Sequence, residues 1–277
     1  MERTSGLLDW ARWWKDWITL PLQFKEDGWD ASGLLGHWSD GSVGSDLKRV
    51  ALRDRKLRSD DGVLEVVDYG AGTPPGGAFR ETRIATVARS AASDARKGRW
   101  LMAAAAAKSE EVGGPRMLEL GTCLGSGADY LLTGGGSGAG YLGLEGSEAL
   151  AALTRVRLGH HVEAGADVQV REGPFSETLP MVIGEGHVFD VVFMDGCHEG
   201  TALLDQWSRI QPALSPGAIV VVDDIRWSKD MHGAWLQLCA SPAWSGLDLF
   251  RIGVLWQHLD GDPTQGGPRR CRWRQRA

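Results

Sequence analysis

The chain has 277 residues, of which 43% are hydrophobic and 24% are charged, an ordinary composition for a protein with a sizeable core. This length allows one large domain, or one domain with an extension. The formal net charge of −6 argues against a general electrostatic attraction to nucleic acid or to an anionic membrane surface.

The apolar runs and the cysteines narrow the class of protein further. No run approaches the roughly 20 apolar residues of a membrane span. Charged residues interrupt the first apolar stretch, so a signal peptide is not expected; they are Asp9, Arg12, Lys15 and Asp16. The four cysteines form no CxxC or CxxH pair, which argues against a zinc site and is typical of reduced thiols. We therefore expect a cytoplasmic enzyme.

Residues 1–60 form a tryptophan-rich extension, because six of the 13 tryptophans lie there. Apolar residues recur at helical spacing from Leu7 to Ile18, which predicts an amphipathic helix. Such a helix could lie on a membrane surface or close over a substrate. Its polar face mixes charges of both signs, so we favour packing against the main domain or against a second copy of the chain in a homodimer.

Residues 61–115 lead into the main domain and are expected to cover the acceptor or a dimer partner. The segment Val63–Gly72 resembles a strand that ends in a flexible turn, and residues 73–77 form a loop by composition. The alanine- and arginine-rich segment Glu81–Ala107 predicts one helix. Pro115 then ends the linker.

From Arg116 onward, strands and helices alternate. The predicted strands are continuous apolar runs, as parallel strands covered on both faces require; they are Met117–Gly121, Tyr141–Gly146, Val168–Gly173, Phe189–Gly196 and Gly217–Asp224. The predicted helices between and after them are Ser126–Leu132, Ser147–Leu158, Phe175–Ile183, Thr201–Gln211 and Lys229–Cys239. Five such units predict an α/β fold with a doubly wound, mostly parallel sheet.

The C-terminal part departs from this alternation. A long strand is predicted over Leu247–Trp256, and a loop and the basic segment 269–276 follow it without an intervening helix. Two strands joined by a loop predict an antiparallel final pair. The arginines of the tail could contact RNA, but the acidic net charge favours a solvated edge strand.

The segment Arg116–Gly127 carries a glycine turn between a strand and a helix. Gly121 allows the tight turn, and Gly125 and Gly127 let the backbone approach a ligand at the start of the helix. Their spacing differs from the GxGxxG of dinucleotide sites and suits a ligand without pyrophosphate. We expect Thr122 and Ser126 in the same loop to contact that ligand.

Two further strand ends complete a nucleoside site. Glu145 ends the second strand, where a carboxylate can accept hydrogen bonds from both ribose hydroxyls. Gly173 ends the third strand, where adenine is expected, and Pro174 and Phe175 could form the wall of that pocket.

The runs ELGTCLGSG, YLGLEG and FDVVFMDG together resemble the class I S-adenosylmethionine-dependent methyltransferases. The resemblance covers roughly Met117–Trp256. It implies a Rossmann-like, seven-stranded sheet whose last two strands are antiparallel, with the methyltransferase domain at residues 116–277. It also implies that Glu119 and Gly121 line the methionine end of the cofactor and that Glu145 holds the ribose.

Acidic residues and a histidine cluster at the same edge of the sheet. Asp195 ends the fourth strand, His198 follows three residues later, and Asp223 and Asp224 end the fifth strand. Parallel strands open their carboxyl ends on one edge, so the three carboxylates would repel one another unless a cation compensates them. Their oxygen ligands favour Mg²⁺, with Asp195 also contacting the cofactor. Alternatively, Asp223 or Asp224 caps the next helix or pairs with Arg226.

Such a site would support methyl transfer to oxygen. A divalent ion can bind a substrate hydroxyl and lower its pKa, and His198 could take the proton. The pattern resembles the metal-dependent O-methyltransferases of the catechol and macrolide-sugar types. The spacing from Asp195 to His198 matches the sugar type, whereas Asp223–Asp224 departs from the Asp-Asn of the catechol type, which favours a sugar or polyol hydroxyl.

The sequence therefore predicts an S-adenosylmethionine-dependent O-methyltransferase, assisted by Mg²⁺, that acts on a small hydroxylated acceptor. Trp227 and its neighbours Arg226 and Lys229 could shape the acceptor pocket or simply pack at a helix start. The alternatives are a metal-independent methyltransferase acting on nitrogen or RNA, and a nucleoside-binding protein without catalysis. A nicotinamide dehydrogenase is disfavoured by the glycine spacing.

Overall fold

The computed structural model describes residues 34–39, 41–70, 72–74, 76–241 and 243–257. The helix predicted over Leu7–Ile18 and the basic tail at 269–276 lie outside the described residues, so both stay predictions. Among the described residues, none of the helices combines the length and the hydropathy that crossing a membrane requires.

Strands and helices alternate along most of the chain. The strands are β1 (Val63–Asp68), β2 (Ala78–Arg83), β3 (Arg116–Leu120), β4 (Gly140–Glu145), β5 (Asp167–Glu172), β6 (Phe189–Met194), β7 (Leu214–Val222), β8 (Trp244–Asp248) and β9 (Gly253–Gln257). The helices are α1 (Leu34–Ser39), α2 (Gly41–Leu57), α3 (Ile84–Ser90), α4 (Ala95–Val112), α5 (Ser126–Gly135), α6 (Glu148–Arg157), α7 (Gly159–Glu163), α8 (Phe175–Gly184), α9 (Gly200–Ile210) and α10 (Lys229–Cys239).

The main sheet has seven strands in the order β5-β4-β3-β6-β7-β9-β8. The first five strands of this order are parallel, and β9 pairs antiparallel with both β7 and β8. This confirms the predicted Rossmann-like sheet with an antiparallel C-terminal pair. The chain builds outward from β3 in one direction and from β6 in the other, so the order reverses between these two neighbouring strands.

Both faces of the sheet are covered, which explains why the strands are apolar throughout. Along β6, Val191 and Phe193 face the layer of α4 and α5, whereas Val192 and Met194 face the layer of α8, α9 and α10. Successive side chains of a strand point to opposite faces, so a strand between two helical layers needs apolar residues at every position.

The N-terminal part of the described chain is helical and packs on the first of these layers. The indole of Trp38 in α1 lies 5.3 Å from that of Trp100 in α4, measured between ring centroids. Val50 of α2 is fully buried in the same core cluster. The described residues before 61 thus share the main core, while the predicted domain boundaries stay a prediction.

Strands β1 and β2 form a separate antiparallel hairpin beside the carboxyl edge of the main sheet. Val66 packs with Leu124 and Leu150 in a third apolar cluster. The backbone N–H of Val67 donates to Ser147 Oγ at 3.3 Å, which attaches the hairpin to the start of α6. The hairpin is therefore fixed next to the ends of β3 and β4.

The prediction of one helix over Glu81–Ala107 was wrong. The first three of these residues belong to β2, and a break separates α3 from α4. Asp94 causes that break, because its carboxylate accepts hydrogen bonds from the backbone N–H groups of Arg96 and Lys97 and so caps α4.

The prediction of one long strand over Leu247–Trp256 was also wrong, since this segment turns back as the β8–β9 hairpin. Asp248 accepts a hydrogen bond from the backbone N–H of Phe250, whose φ of 72° is left-handed. The antiparallel pair is thus formed by residues 244–257 and does not require the tail.

Candidate active site

A cavity of about 580 Å³ opens at the carboxyl edge of the main sheet. The ends of β3, β4, β6 and β7 form its floor, and the β1–β2 hairpin, α3 and the start of α4 form its walls. The cavity lies where the strand order reverses, which is the usual ligand site of an open α/β sheet, and its volume is typical of such sites.

The glycine turn after β3 positions the floor of this cavity. Gly121 has a φ of +90°, and a β-carbon there would collide with the backbone carbonyl of Asp195. The turn therefore brings the end of β3 against the end of β6 only because the residue is glycine. Gly125, with a φ of 72°, precedes the first turn of α5.

Glu145, at the end of β4, lines the cavity and is held by backbone groups. Its Oε2 accepts a hydrogen bond from the N–H of Cys123 at 2.7 Å, and its Oε1 accepts one from the N–H of Ser147 at 3.0 Å. Burial raises the pKa of Glu145, and these backbone donors oppose that rise. The carboxylate is thus fixed in orientation and keeps lone pairs for further donors.

The predicted cofactor residues divide into two groups. Half of them line the cavity: Gly121, Glu145, Pro174, Phe175 and Asp195. In the described part of the chain, the others lie outside its lining: Glu119, Thr122, Gly125, Ser126 and Gly173. Glu119 belongs to β3, Thr122 and Gly125 belong to the glycine turn, and Ser126 begins α5.

Glu119 and Ser126 show what the second group does. Glu119 is 1% exposed, lies against Gly127 and accepts a hydrogen bond from the hydroxyl of Tyr141. Burial raises the pKa of Glu119 to about 8. Ser126 donates to Asp54 of α2 at 2.8 Å, so its hydroxyl faces a neighbouring helix.

A lysine that the sequence analysis did not identify lies between two of the predicted metal ligands. Lys97 Nζ is 3.1 Å from Asp195 Oδ2 and also contacts Asp223 Oδ2. The three side chains are 10%, 14% and 3% exposed, so these charges are held largely away from water. Lys97 comes from the first turn of α4, where Asp94 caps the helix.

The pKa values of these three groups are strongly linked. Burial lowers the pKa of Lys97, but the two carboxylates outweigh it and raise that pKa above its ordinary value. Burial and the nearby Asp223 raise the pKa of Asp195 well above its ordinary value. Burial opposes ionisation of Asp223 too, yet Lys97 and a hydrogen bond with Asp195 hold its pKa below the ordinary value.

The third acidic residue, Asp224, faces a different set of partners. Its Oδ2 is 3.7 Å from His198 Nε2, and its Oδ1 is 3.5 Å from a guanidinium nitrogen of Arg251. Asp224 has a left-handed φ of 47°, which turns its side chain away from the direction of Asp223. The His198 ring lies 5.6 Å from the Trp227 ring, and both residues line the cavity.

The donor set does not fit a divalent ion. Asp195 and Asp223 are already bonded to an ammonium group, and Asp224 is directed to His198 and Arg251. The described residues contain one group of three or more His, Cys, Asp or Glu side chains whose ligand atoms lie within 4.8 Å of one another. That group lies away from the cavity, on α5 and α7: Asp129, His160 and His161.

The remaining polar residues of this region have structural partners. Arg226 donates to Asp248 at 2.6 Å, a contact that ties it to the end of β8. Ser228, and neither of these aspartates, caps α10. Asp190, at the opposite edge of the sheet, accepts hydrogen bonds from the N–H of Arg116 and the hydroxyl of Ser215, as expected for a structural residue.

The hairpin also reaches the far side of the cavity. The N–H of Gly72 at its tip donates to Glu199 Oε1 at 3.2 Å, and Tyr69 lies against Gly146. The hairpin thus contacts both the loop after β4 and the loop after β6. Its polar second strand gave no apolar pattern from which this position could have been predicted.

Comparisons with known proteins agree with this geometry. Residues 118–225 match a family model described as a methyltransferase domain. No curated protein matches the chain in sequence. Residues 118–225 span most of β3 to the end of β7 and with them much of the cavity floor.

Solved structures share the fold at low sequence identity. The O-methyltransferase TomG from Streptomyces achromogenes, in complex with SAM, has a TM-score of 0.52 at 17% identity, over 76% of this chain and 89% of that one. The SAH-bound methyltransferase PaMTH1 from Podospora anserina has a TM-score of 0.51 at 18% identity, over 77% and 88%. The O-methyltransferase from Bacillus cereus, in complex with SAH, has a TM-score of 0.50 at 18% identity, over 77% and 91%.

Proposed function

We propose that this chain, which carries a methyltransferase domain over residues 118–225, transfers a methyl group from S-adenosylmethionine to a hydroxyl group of a small acceptor. The observation that supports this most is that one cavity holds both a ribose-type carboxylate, Glu145, and a proton acceptor, His198. The folds of the O-methyltransferases from Bacillus cereus and Streptomyces achromogenes add support for oxygen as the methyl acceptor.

The residues of β4 and of the turn before α8 fit S-adenosylmethionine. Glu145 is oriented by two backbone N–H groups and has lone pairs left for the ribose hydroxyls. Pro174 and Phe175 offer an apolar wall for adenine. When bound, S-adenosylmethionine supplies a methyl group on a sulfonium that carries its own leaving group. The protein then mainly has to hold the acceptor in line with that methyl group.

His198 is the proposed base. It accepts the proton that the acceptor hydroxyl loses while the oxygen of that hydroxyl takes the methyl group. Asp224, whose Oδ2 lies 3.7 Å from His198 Nε2, orients the imidazole. The Trp227 ring lies beside the imidazole at a tilt of 39°.

Magnesium is not part of this proposal. The sequence predicts Mg²⁺ at Asp195, Asp223 and Asp224, but Lys97 bonds two of these carboxylates. The repulsion on which that prediction depends is therefore relieved by a positive charge of the chain itself.

Calorimetry with S-adenosylmethionine tests the first half of the proposal. We expect the wild-type protein to bind it, and Glu145→Ala to bind about 100-fold more weakly, because about 3 kcal/mol of hydrogen bonds to the ribose are lost. Glu148→Ala, which removes an exposed carboxylate three residues away, is the matched control and should bind normally. Absence of wild-type binding at millimolar ligand would contradict the proposal.

A panel of acceptors tests the second half. We expect mass spectrometry to find a methyl ether on a sugar, polyol or phenol after incubation with S-adenosylmethionine. Methylation of amines or of RNA alone, with every hydroxylated compound unchanged, would assign the enzyme to a different class of acceptor.

A further inference from the structure

We propose that Lys97 is the cation of this active site: its ammonium group takes the position between Asp195 and Asp223 that a divalent ion would need, and it binds the acceptor oxygen directly. The second clause rests on the proposed O-methyl transfer, whereas the first concerns the protein alone. The methyltransferase should then work without a metal ion.

The location of Lys97 supports this role. Its side chain lines the cavity, and Nζ lies 5.5 Å from the centroid of the Phe193 ring, which is buried in the sheet. An aromatic face attracts a cation and excludes water from beneath it. The ammonium group is thus held between two carboxylates and an apolar surface.

The cap of α4 fixes the approach of Lys97. Asp94 Oδ1 accepts a hydrogen bond from the backbone N–H of Lys97 itself at 2.9 Å, so the helix begins in a defined place next to the cavity. Asp94 also lines the cavity. The lysine stem therefore starts from a fixed backbone position and needs no rearrangement to reach the sheet edge.

The number of donors leaves room for a ligand. An ammonium group has three N–H donors, and among the described residues the structure shows two carboxylate contacts for Nζ. The third N–H is available to an oxygen in the cavity. A divalent ion at this position would have to displace the lysine charge from both of its carboxylate partners.

The chemistry that follows needs no further component. Lys97 donates a hydrogen bond to the acceptor oxygen and stabilises the negative charge that develops there. The hydroxyl proton moves to the imidazole of His198, the new bond forms between oxygen and the methyl carbon, and the bond from that carbon to sulfur breaks. A donor aimed at developing charge in a site that excludes water typically contributes about 10²- to 10³-fold in rate.

Manganese binding, followed by electron paramagnetic resonance, tests the first clause without any acceptor. We expect the wild-type protein to leave Mn²⁺ free in solution and Lys97→Ala to bind one ion between Asp195 and Asp223. Lys48→Ala, which removes an exposed lysine of α2, should behave as the wild type. Tight binding of one Mn²⁺ by the wild-type protein, abolished by Asp223→Asn, would overturn the proposal.

Turnover measurements test the second clause. EDTA should leave wild-type methyl transfer unchanged, Lys97→Ala should lower kcat by about 10²- to 10³-fold, and added Mg²⁺ should restore part of that loss. Loss of wild-type turnover in EDTA would overturn the proposal even if Lys97→Ala does not fold. Failure of the proposed function is seen separately, as absence of S-adenosylmethionine binding, and leaves the Mn²⁺ result intact.

Discussion

Two clusters in the described structure pair aspartates with cationic side chains. The cavity cluster consists of Lys97, Asp195 and Asp223. The helix cluster is centred on Asp129 of α5, which is 1% exposed and is bonded by Arg53 of α2 and His161 of α7. Both clusters neutralise carboxylates with charges contributed by distant parts of the chain.

The difference between them lies in how the cation is held. Arg53 uses two guanidinium nitrogens on the two oxygens of Asp129, at 2.7 and 2.5 Å, and His161 adds a contact at 2.8 Å. This fork-shaped pairing satisfies the carboxylate within the protein. Lys97 is a compact charge on a side chain that lines a cavity. Both clusters use similar residue types. They differ in that a cavity borders the lysine of the cavity cluster, so a ligand can reach it.

The largest expected effect on turnover comes from a substitution beside the cavity cluster. His198→Ala should lower kcat by about 10²- to 10⁴-fold, because a positioned base is lost, while the thermal unfolding temperature stays nearly constant. The measurement is steady-state methyl transfer beside calorimetric unfolding. His161→Ala, a histidine of the helix cluster, is the control and should show the reverse pattern. Equal turnover in the two variants would contradict the assignment of His198.

The next effect is on the helix side. Arg53→Met should lower the free energy of unfolding by about 3 kcal/mol, because a buried carboxylate loses its best partner. Urea denaturation measures this loss, and kcat per folded molecule should not change. Arg55→Met, on an exposed position of the same helix, should leave stability nearly unchanged. A lower kcat in Arg53→Met would show that the two clusters are coupled.

The smallest effect is a dependence of stability on pH. Although burial opposes its ionisation, hydrogen bonds from His161 and Arg53 lower the pKa of Asp129 from 3.8 to about 2. A carboxylate with a depressed folded-state pKa stabilises the fold above its unfolded pKa, and this contribution is lost as pH falls from about 4 to about 2. The loss is of the order of 2 kcal/mol.

Urea unfolding at a series of pH values between about 5 and 2 measures this contribution. Asp129→Asn should remove most of the slope in that window, since it cannot ionise. A slope that is the same in the variant would place the acid sensitivity of the protein elsewhere.

Much of the fold was predictable because the strands of the main sheet are covered on both faces. Continuous apolar runs such as Val191–Met194 show this directly, and the glycine turn marks where β3 ends. Hairpins were harder to predict. The strand β2 has polar residues and one face towards solvent, and the β8–β9 turn depends on Asp248 bonding the N–H of Phe250, which apolar periodicity does not show.

The site was predictable in part for a related reason. Asp195, Asp223 and Asp224 follow apolar strands, so their position at the sheet edge follows from the topology. Lys97 lies 98 residues before Asp195 in sequence, in an alanine-rich segment that resembles one continuous helix. The pair Ser93–Asp94, a typical helix start, was the signal that could have divided this segment and placed Lys97 in a first turn.

The position of Lys97 in α4 has a consequence for how the protein is made. Residues 118–225 contain Asp195 and Asp223, but Lys97, which pairs with both, lies upstream of them. During synthesis, the capped start of α4 emerges from the ribosome before Asp195 and Asp223 do, and domains generally begin to fold from the N-terminus. The two carboxylates therefore meet their counterion as soon as β6 and β7 join the sheet, whereas a shortened chain that begins at β3 would bury both without one.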